Sequence, residues 1–152
     1  MTDRFLIVNA DDFGQSDGIN DGVGAAYERG IVTSASLMVR WPAADHAAAY
    51  ARSRPALSLG LHVDLAQWTY SGAQWAPDYL VVDVDDEVAV ERELSPGWSE
   101  LGCHPGLHDD APAGYRTERS IAVAVLCDAR LRAGIAERGV ELRSFADLAA
   151  RG

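Results

Sequence analysis

The chain has 152 residues, of which 48% are apolar and 24% charged, as expected for one soluble globular domain with a single core. Its formal net charge of −10 disfavours a nucleic-acid surface, which needs a basic patch, and an anionic membrane surface. No apolar run approaches the roughly 20 residues that span a bilayer, and the first residues lack a signal-peptide layout. We therefore expect a cytoplasmic protein with one domain over residues 1–152.

The first half of the chain alternates strand and helix patterns. Phe5 to Val8 is a continuous apolar run, typical of a strand buried on both faces. A helix over 20–28, ending at Gly30, is predicted next. It is followed by a strand over 31–39, an alanine-rich helix over 45–52 and a strand over 57–63. This βαβαβ order predicts an α/β fold with a parallel sheet.

The second half of the chain is less regular. A loop over 67–75, a strand or loop edge over 79–84 and a short helix over 87–94 are predicted. A short strand over 99–103 follows. Two helices, or one broken helix, cover 117–138, with Asp128 as the N-cap of the second. The pattern ends with a strand over 140–145 and a helical turn over 146–151.

Three polar motifs end three of these strands: NADDFG over 9–14, GLHVDL over 60–65 and GCHPG over 102–106. The carboxyl ends of parallel strands lie on one face, so these side chains are expected to converge. The adjacent Asp11 and Asp12 repel each other unless a cation or a shared proton relieves them. The alternative is an Asx turn or a helix cap. We favour a metal site with two histidines and a carboxylate, with the other carboxylate as base.

The neighbours of these aspartates also have purely structural interpretations. A lone histidine such as His62 or His104 is more often a satisfied core or rim residue than a ligand. Cys103 beside His104 suggests a Cys–His nucleophile pair. Neighbouring residues on a strand point to opposite faces, however, so the two side chains would not face each other. The spacing of Cys103 and Cys127 does not indicate a disulfide, so both are expected to be reduced.

Taken together, the motifs resemble those of the YdjC-like carbohydrate deacetylases, which include chitooligosaccharide and hopanoid-biosynthesis-associated deacetylases. The stretches that carry the resemblance are FLIVNADDFG, GIVTSASLMV, LGLHVDL, WSELGCHPG and GVELRSF. SELGCHPG is most similar to the hopanoid-associated branch. The resemblance implies an irregular (β/α) barrel that removes the N-acetyl group of an amino sugar or short N-acetylated oligosaccharide with the help of a divalent metal.

The resemblance also implies roles for individual residues. Asp11 would be the base that activates water, and Asp12 and His62 would be metal ligands. His104 lies in a motif that lines the site of the family, which makes it a candidate third ligand, general acid or oxyanion stabiliser. Zinc suits imidazole and carboxylate ligands better than magnesium does. No substrate-binding residue is assigned.

The chain departs from the family pattern in its middle. The family has a further segment with a histidine-rich motif that supplies the remaining metal ligand, whereas here Leu94 runs directly into Ser95-Pro96-Gly97. We therefore expect a partial or compacted barrel, with a deletion near residues 94–96. Its open sheet edges favour a homo-oligomer. Two alternatives remain: an inactive remnant that binds a sugar or a partner protein, and a different metal hydrolase on the same scaffold.

Overall fold

The structure, a computed structural model, describes residues 3–63, 94, 96–108 and 116–150. The strands among these residues are β1 (Arg4–Phe13), β2 (Ser34–Leu37), β3 (Ser58–Leu61), β4 (Gly97–Cys103) and β5 (Val140–Arg143). The helices are α1 (Asp17–Glu28), α2 (Ala44–Arg52), α3 (Arg116–Leu126), α4 (Ala129–Glu137) and α5 (Phe145–Ala149).

Strand β1 is the centre of the sheet. It pairs with β4 from Arg4 opposite Gly97 to Ala10 opposite Cys103. The first part of β1 also pairs with β5, its last part pairs with β2, and β3 adds to β2. Each of these pairings is parallel, so the predicted α/β fold with a parallel sheet is confirmed.

The core lies around β1, whose apolar residues are covered on both faces. Val8 and Ala10 are completely buried, which explains why this strand reads as a continuous apolar run. Ile19, Val23 and Ala26 of α1 pack into the same cluster, because their spacing of four and three residues places them on one side of the helix.

The observed limits of several elements differ from the predicted ones. β1 extends well past Val8 because Asn9 and Ala10 still pair with β4, so the two aspartates lie inside the strand. β2 and β3 are shorter than predicted, and β4 begins two residues earlier, at Gly97. The elements predicted over 67–75, 79–84 and 87–93 lie outside the described residues.

Polar side chains cap the first turns of α1 and α4. The Ser16 side chain accepts a hydrogen bond from Ile19 N, so α1 begins at Asp17, three residues before the predicted start of this helix. Asp128 caps α4, as predicted, by accepting from Arg130 N at 2.8 Å. Both cysteines are described, and neither is in a disulfide. None of the helices in the described ranges is long and apolar enough to cross a membrane.

Candidate active site

The ends of the parallel strands bring the motif residues together at one edge of the sheet. Asp11 and Asp12 lie near the end of β1, while His62 directly follows β3 and His104 directly follows β4. His62 Nδ1 is 3.8 Å from Asp11 Oδ1, and His62 Nε2 is 3.8 Å from Asp12 Oδ1. His104 Nε2 is 3.9 Å from Asp11 Oδ2. All four residues that the sequence singled out therefore meet in space.

An irregularity in β1 turns both aspartates towards the histidines. On a regular strand, consecutive side chains point to opposite faces. The pairing of β1 with β2, however, shifts register between Ala10 and Phe13. Within this shift Asp12 has a φ of 62°, in the left-handed region that aspartate tolerates better than most residues. Such a bulge re-aims a side chain, so Asp11 and Asp12 both come within reach of His62.

Asp11 is held through one of its two carboxylate oxygens. Ser36 Oγ donates to Asp11 Oδ1 at 2.6 Å, and Asn9 Nδ2 donates to the same oxygen at 2.9 Å. Asn9 is itself buried. Both hydrogen bonds fall on Oδ1, and Oδ2 faces His104. The carboxylate is therefore fixed in orientation, with Oδ2 turned towards His104.

Asp12 is paired with a buried arginine from a distant part of the chain. Arg119 Nη2 donates to Asp12 Oδ2 at 2.6 Å, and Arg119 Nη1 lies 3.5 Å from the carbonyl oxygen of His104. Although it comes from a helix, Arg119 is only 5% exposed. The ion pair occupies Oδ2 of Asp12, while Oδ1 faces His62. The two adjacent aspartates thus have different partners.

Two glycines allow the elements behind the site to approach closely. Gly106 N donates to the carbonyl oxygen of Arg119, and a Cβ on Gly106 would lie 3.0 Å from Arg119 Cδ. A Cβ on Gly22 of α1 would lie only 2.3 Å from Gly106 Cα. Gly22 therefore needs to be glycine, because α1 packs directly against the backbone of the segment that carries His104, whereas a Cβ at Gly106 would require Arg119 to shift.

Sequence reasoning missed three residues of the site, namely Asn9, Ser36 and Arg119. Asn9 precedes Asp11 by two positions, and the alternation of a strand could have placed the two on one face. Ser36 lay in a predicted strand with nothing to mark its polar side chain. Arg119 lay in a predicted helix, where a charged residue usually faces solvent, so the local sequence held no signal for it.

The donor atoms best arranged for a cation are Asp12 Oδ1 and His62 Nε2. Two ligands of a tetrahedral zinc ion lie about 3.4 Å apart at ordinary zinc–ligand lengths, and the separation here is 3.8 Å. A small side-chain movement would close this difference. In the part of the chain that is described, no three His, Cys, Asp or Glu side chains form a metal-binding group. The described residues therefore fit a cation with two of the usual three protein ligands.

Comparison with known families and proteins agrees with these motifs. The family model described as YdjC-like protein matches residues 5–85, which is more than half of the 152 residues. The chain belongs to the YdjC-like family.

Curated relatives align with a segment of about 60 residues of the chain. It is 54% identical over 59 residues to a carbohydrate deacetylase of Geobacillus stearothermophilus, a match that covers 39% of this chain and 24% of that protein. It is 53% identical over 60 residues to a chitooligosaccharide deacetylase of Salmonella newport (strain SL254), covering 40% of this chain and 24% of the relative. The chain thus spans about a quarter of the length of the curated relatives it matches.

A solved structure supports the fold over almost the whole chain. A crystal structure from Enterococcus faecalis V583, whose description names cellobiose-phosphate cleavage, is similar with a TM-score of 0.80. The likeness covers 97% of this chain and 99% of that chain at 18% sequence identity. At this identity, the similarity concerns the fold alone.

Proposed function

We propose that the chain is a metal-dependent hydrolase that removes the N-acetyl group from an amino sugar or a short N-acetylated oligosaccharide. The observation that carries the proposal is that the two adjacent carboxylates face different histidines through their available oxygens. Asp12 Oδ1 faces His62 Nε2, as a ligand pair would, while Asp11 Oδ2 faces His104. The names of the relatives, carbohydrate deacetylase and chitooligosaccharide deacetylase, support the substrate class.

Asp12 and His62 would hold the cation, for which zinc fits this donor set better than magnesium. When bound, such an ion polarises the amide carbonyl and lowers the pKa of a water molecule. Arg119 already engages Asp12 Oδ2, so Asp12 presents Oδ1 alone. The ion pair therefore favours a ligand that binds through a single oxygen.

Asp11 acts as the general base in this proposal. Its Oδ1 is occupied by Ser36 and Asn9, so Oδ2 accepts the proton of the attacking water. The 3.9 Å between Oδ2 and His104 Nε2 is too long for a direct hydrogen bond, but it allows a small group of the substrate to lie beside both. His104 then donates a proton to the leaving amine or stabilises the oxyanion.

Acetate release from N-acetylated chitooligosaccharides, with zinc added, tests the proposal. Asp11→Asn keeps the shape of the side chain but removes its basicity, and should slow release roughly 10²–10⁴-fold. The same variant should keep the rise in unfolding temperature that zinc produces, because a base acts on water and not on the ion. Asp21→Asn, at an exposed carboxylate of α1, is the matched control and should behave like the unchanged protein.

Other results would redirect the assignment. Undiminished acetate release from Asp11→Asn would rule out Asp11 as the base. Loss of the zinc-induced stabilisation in that variant would instead make Asp11 a ligand. Calorimetric binding of the oligosaccharide without any acetate release from the unchanged protein would favour the inactive, sugar-binding remnant.

A further inference from the structure

The hydroxyl of Ser36 lies between the side chain of Asp11, which belongs to β1, and the side chain of His62, which follows β3. Its Oγ is 2.6 Å from Asp11 Oδ1 and 3.0 Å from His62 Nδ1. Ser36 belongs to β2, and its register partner on β3 is Gly60, only two residues before His62. The hydroxyl therefore joins the ends of β1 and β3 through a single side chain.

The direction of the two hydrogen bonds follows from counting protons. A serine hydroxyl has one proton to donate, and an ionised carboxylate can only accept. The 2.6 Å separation is the length expected for a hydroxyl that donates to a carboxylate. Ser36 thus donates its proton to Asp11 and can only accept a hydrogen bond from His62, through a lone pair of Oγ. His62 Nδ1 must then carry the hydrogen of this second bond.

A second group near His62 Nδ1 acts in the opposite direction. The backbone N–H of Asp12 points at Nδ1 from 3.5 Å, and it would favour a ring nitrogen without a proton. This distance is at the outer limit for a hydrogen bond, whereas the 3.0 Å to Ser36 is ordinary. Two carboxylate oxygens also face the ring, Asp11 Oδ1 at Nδ1 and Asp12 Oδ1 at Nε2, but each is 3.8 Å away and they favour opposite tautomers. The hydrogen-bond partners of Nδ1 therefore decide the tautomer of His62, and the geometry favours Ser36.

We propose that Ser36 is a positioning residue that holds neutral His62 in the Nδ1–H tautomer and so leaves a lone pair on Nε2. That lone pair lies on the side of Asp12 Oδ1, 3.8 Å away. A metal-ligating histidine is usually oriented in this way by a hydrogen bond to its other nitrogen. The consequence for cation binding rests on the proposed function, but the tautomer itself is a property of the metal-free protein.

Nitrogen-15 NMR of the histidine rings measures the tautomer directly. Spectra of metal-free protein would be recorded at about pH 8.5, well above the ordinary histidine pKa, with His62 assigned by the signals lost in His62→Asn. Nδ1 should have the shift of a protonated ring nitrogen and Nε2 that of a bare one. In Ser36→Ala the Asp12 N–H at 3.5 Å is the nearest remaining partner of Nδ1, while Asp11 Oδ1 at 3.8 Å lies beyond hydrogen-bond distance, so the Nε2–H tautomer should predominate.

Two further variants serve as controls. Ser36→Thr keeps the hydroxyl and should restore the Nδ1–H tautomer. Ser58→Ala removes another hydroxyl of the same sheet, one that accepts from Ala146 N and not from the site, and should leave the His62 spectrum unchanged. Zinc affinity, measured by competition with a chelating dye, should fall roughly 10–100-fold in Ser36→Ala and stay nearly unchanged in both controls.

The outcomes separate this inference from the proposed function. An Nε2–H tautomer in the unchanged protein, or an unaltered tautomer in Ser36→Ala, would overturn the inference. If the tautomer changes as expected but no form of the protein binds zinc, the role of Ser36 stands and the metal-dependent function fails. If Ser36→Ala does not fold, the spectra of the unchanged protein and of Ser36→Thr still decide the tautomer.

Discussion

At the scale of single residues, Arg119 is the buried cation that neutralises Asp12 in the described site. It is nearly inaccessible to water, and its guanidinium contacts the Asp12 carboxylate and the carbonyl of His104. Breaking a buried ion pair by removing one partner leaves an uncompensated charge, which costs more than the pair contributes when intact. Arg119 therefore links the stability of the fold to the orientation of Asp12.

Replacement of this arginine should reveal the linkage. Arg119→Met keeps much of the apolar volume but leaves Asp12, with a side chain 15% exposed, without its cation. We expect a loss of about 3 kcal/mol in the free energy of unfolding, measured by urea denaturation. Combining it with Asp12→Asn should cost less than the sum of the two single changes, because the amide needs no counter-charge.

A surface arginine provides the control for that measurement. Arg130 of α4 pairs with Asp128, and its side chain is 74% exposed, so Arg130→Met should change the free energy of unfolding by only about 0–1 kcal/mol. Strict additivity of Arg119→Met and Asp12→Asn would show that the two residues do not depend on each other.

At the scale of elements, α1 packs closely against the segment after β4. Gly22→Ala and Gly24→Ala each replace a glycine in the same helix, so each gains about 1 kcal/mol of helix propensity. At Gly22 the new Cβ would meet the backbone of Gly106 at 2.3 Å, whereas at Gly24 it would meet the Tyr50 ring at 3.2 Å. Because a ring can shift more easily than backbone, only Gly22→Ala should be strongly disruptive.

The expected net effect of Gly22→Ala is a loss of roughly 1–3 kcal/mol in the free energy of unfolding, typical of overpacking. Chemical denaturation measures it, and Gly24→Ala is the matched control, with a smaller loss or none. Equal stabilities of the two variants would mean that α1 does not rest on Gly106 as the structure has it.

Helices α1 and α2 are joined by a polar cluster with a pH dependence of its own. Tyr50 Oη donates to Glu28 Oε1 at 3.0 Å, and Arg54 Nε donates to the same oxygen at 2.9 Å. Partial burial, and then the hydrogen bond to Glu28, raise the pKa of Tyr50 from its ordinary value of 10.0 to about 12. The hydrogen bonds from Arg54 and then Tyr50 lower the pKa of Glu28.

These pKa shifts predict a loss of stability at both ends of the pH scale. A raised pKa means that Tyr50 contributes its full share of stability below its unfolded pKa of 10.0, a share that is lost as pH rises towards 12. Tyr50→Phe should therefore flatten the fall in the free energy of unfolding between these pH values, as measured by denaturant unfolding. For Glu28 the lowered pKa contributes stability above 4.5 that is lost as pH falls. A Tyr50→Phe curve parallel to that of the unchanged protein would contradict the role of the cluster.

At the scale of the whole molecule, the outer strand β3 carries exposed apolar side chains. Leu61 is 64% exposed, and Val63 just after the strand is 65% exposed. Within the described residues β3 pairs with β2 alone. An apolar sheet edge of this kind favours pairing with another chain, while the net charge of −10 keeps an assembly soluble.

We therefore predict a homo-oligomer whose deacetylase activity is weak or absent compared with that of a full-length relative. Light scattering at several protein concentrations and constant salt measures the oligomeric state, and acetate release measures activity. Leu61→Glu places a charge on the edge and should shift the equilibrium towards monomer. Leu148→Glu, at an exposed apolar position of α5, should not. A stable monomer with rapid acetate release would contradict both parts.

The sequence by itself determined the order of the described elements, the parallel sheet and the family. Alternating strand and helix patterns, separated by glycine and proline, depend on neighbouring residues only, so they can be recognised from the sequence alone. The meeting of Asp11, Asp12, His62 and His104 was predictable for the same reason, because the ends of parallel strands share one edge whatever the details of packing.

Only the tertiary structure decided how those residues are arranged. The register shift between β1 and β2 turns both aspartates to one side, and the register of β2 with β3 brings Ser36 to His62. Arg119 reaches Asp12 across 107 positions of the chain. No local pattern encodes such contacts, because they depend on which strands and helices pack together and in which register. Long-range packing therefore decides the hydrogen bonds and ion pairs of the site, while the motifs decide which residue types are present.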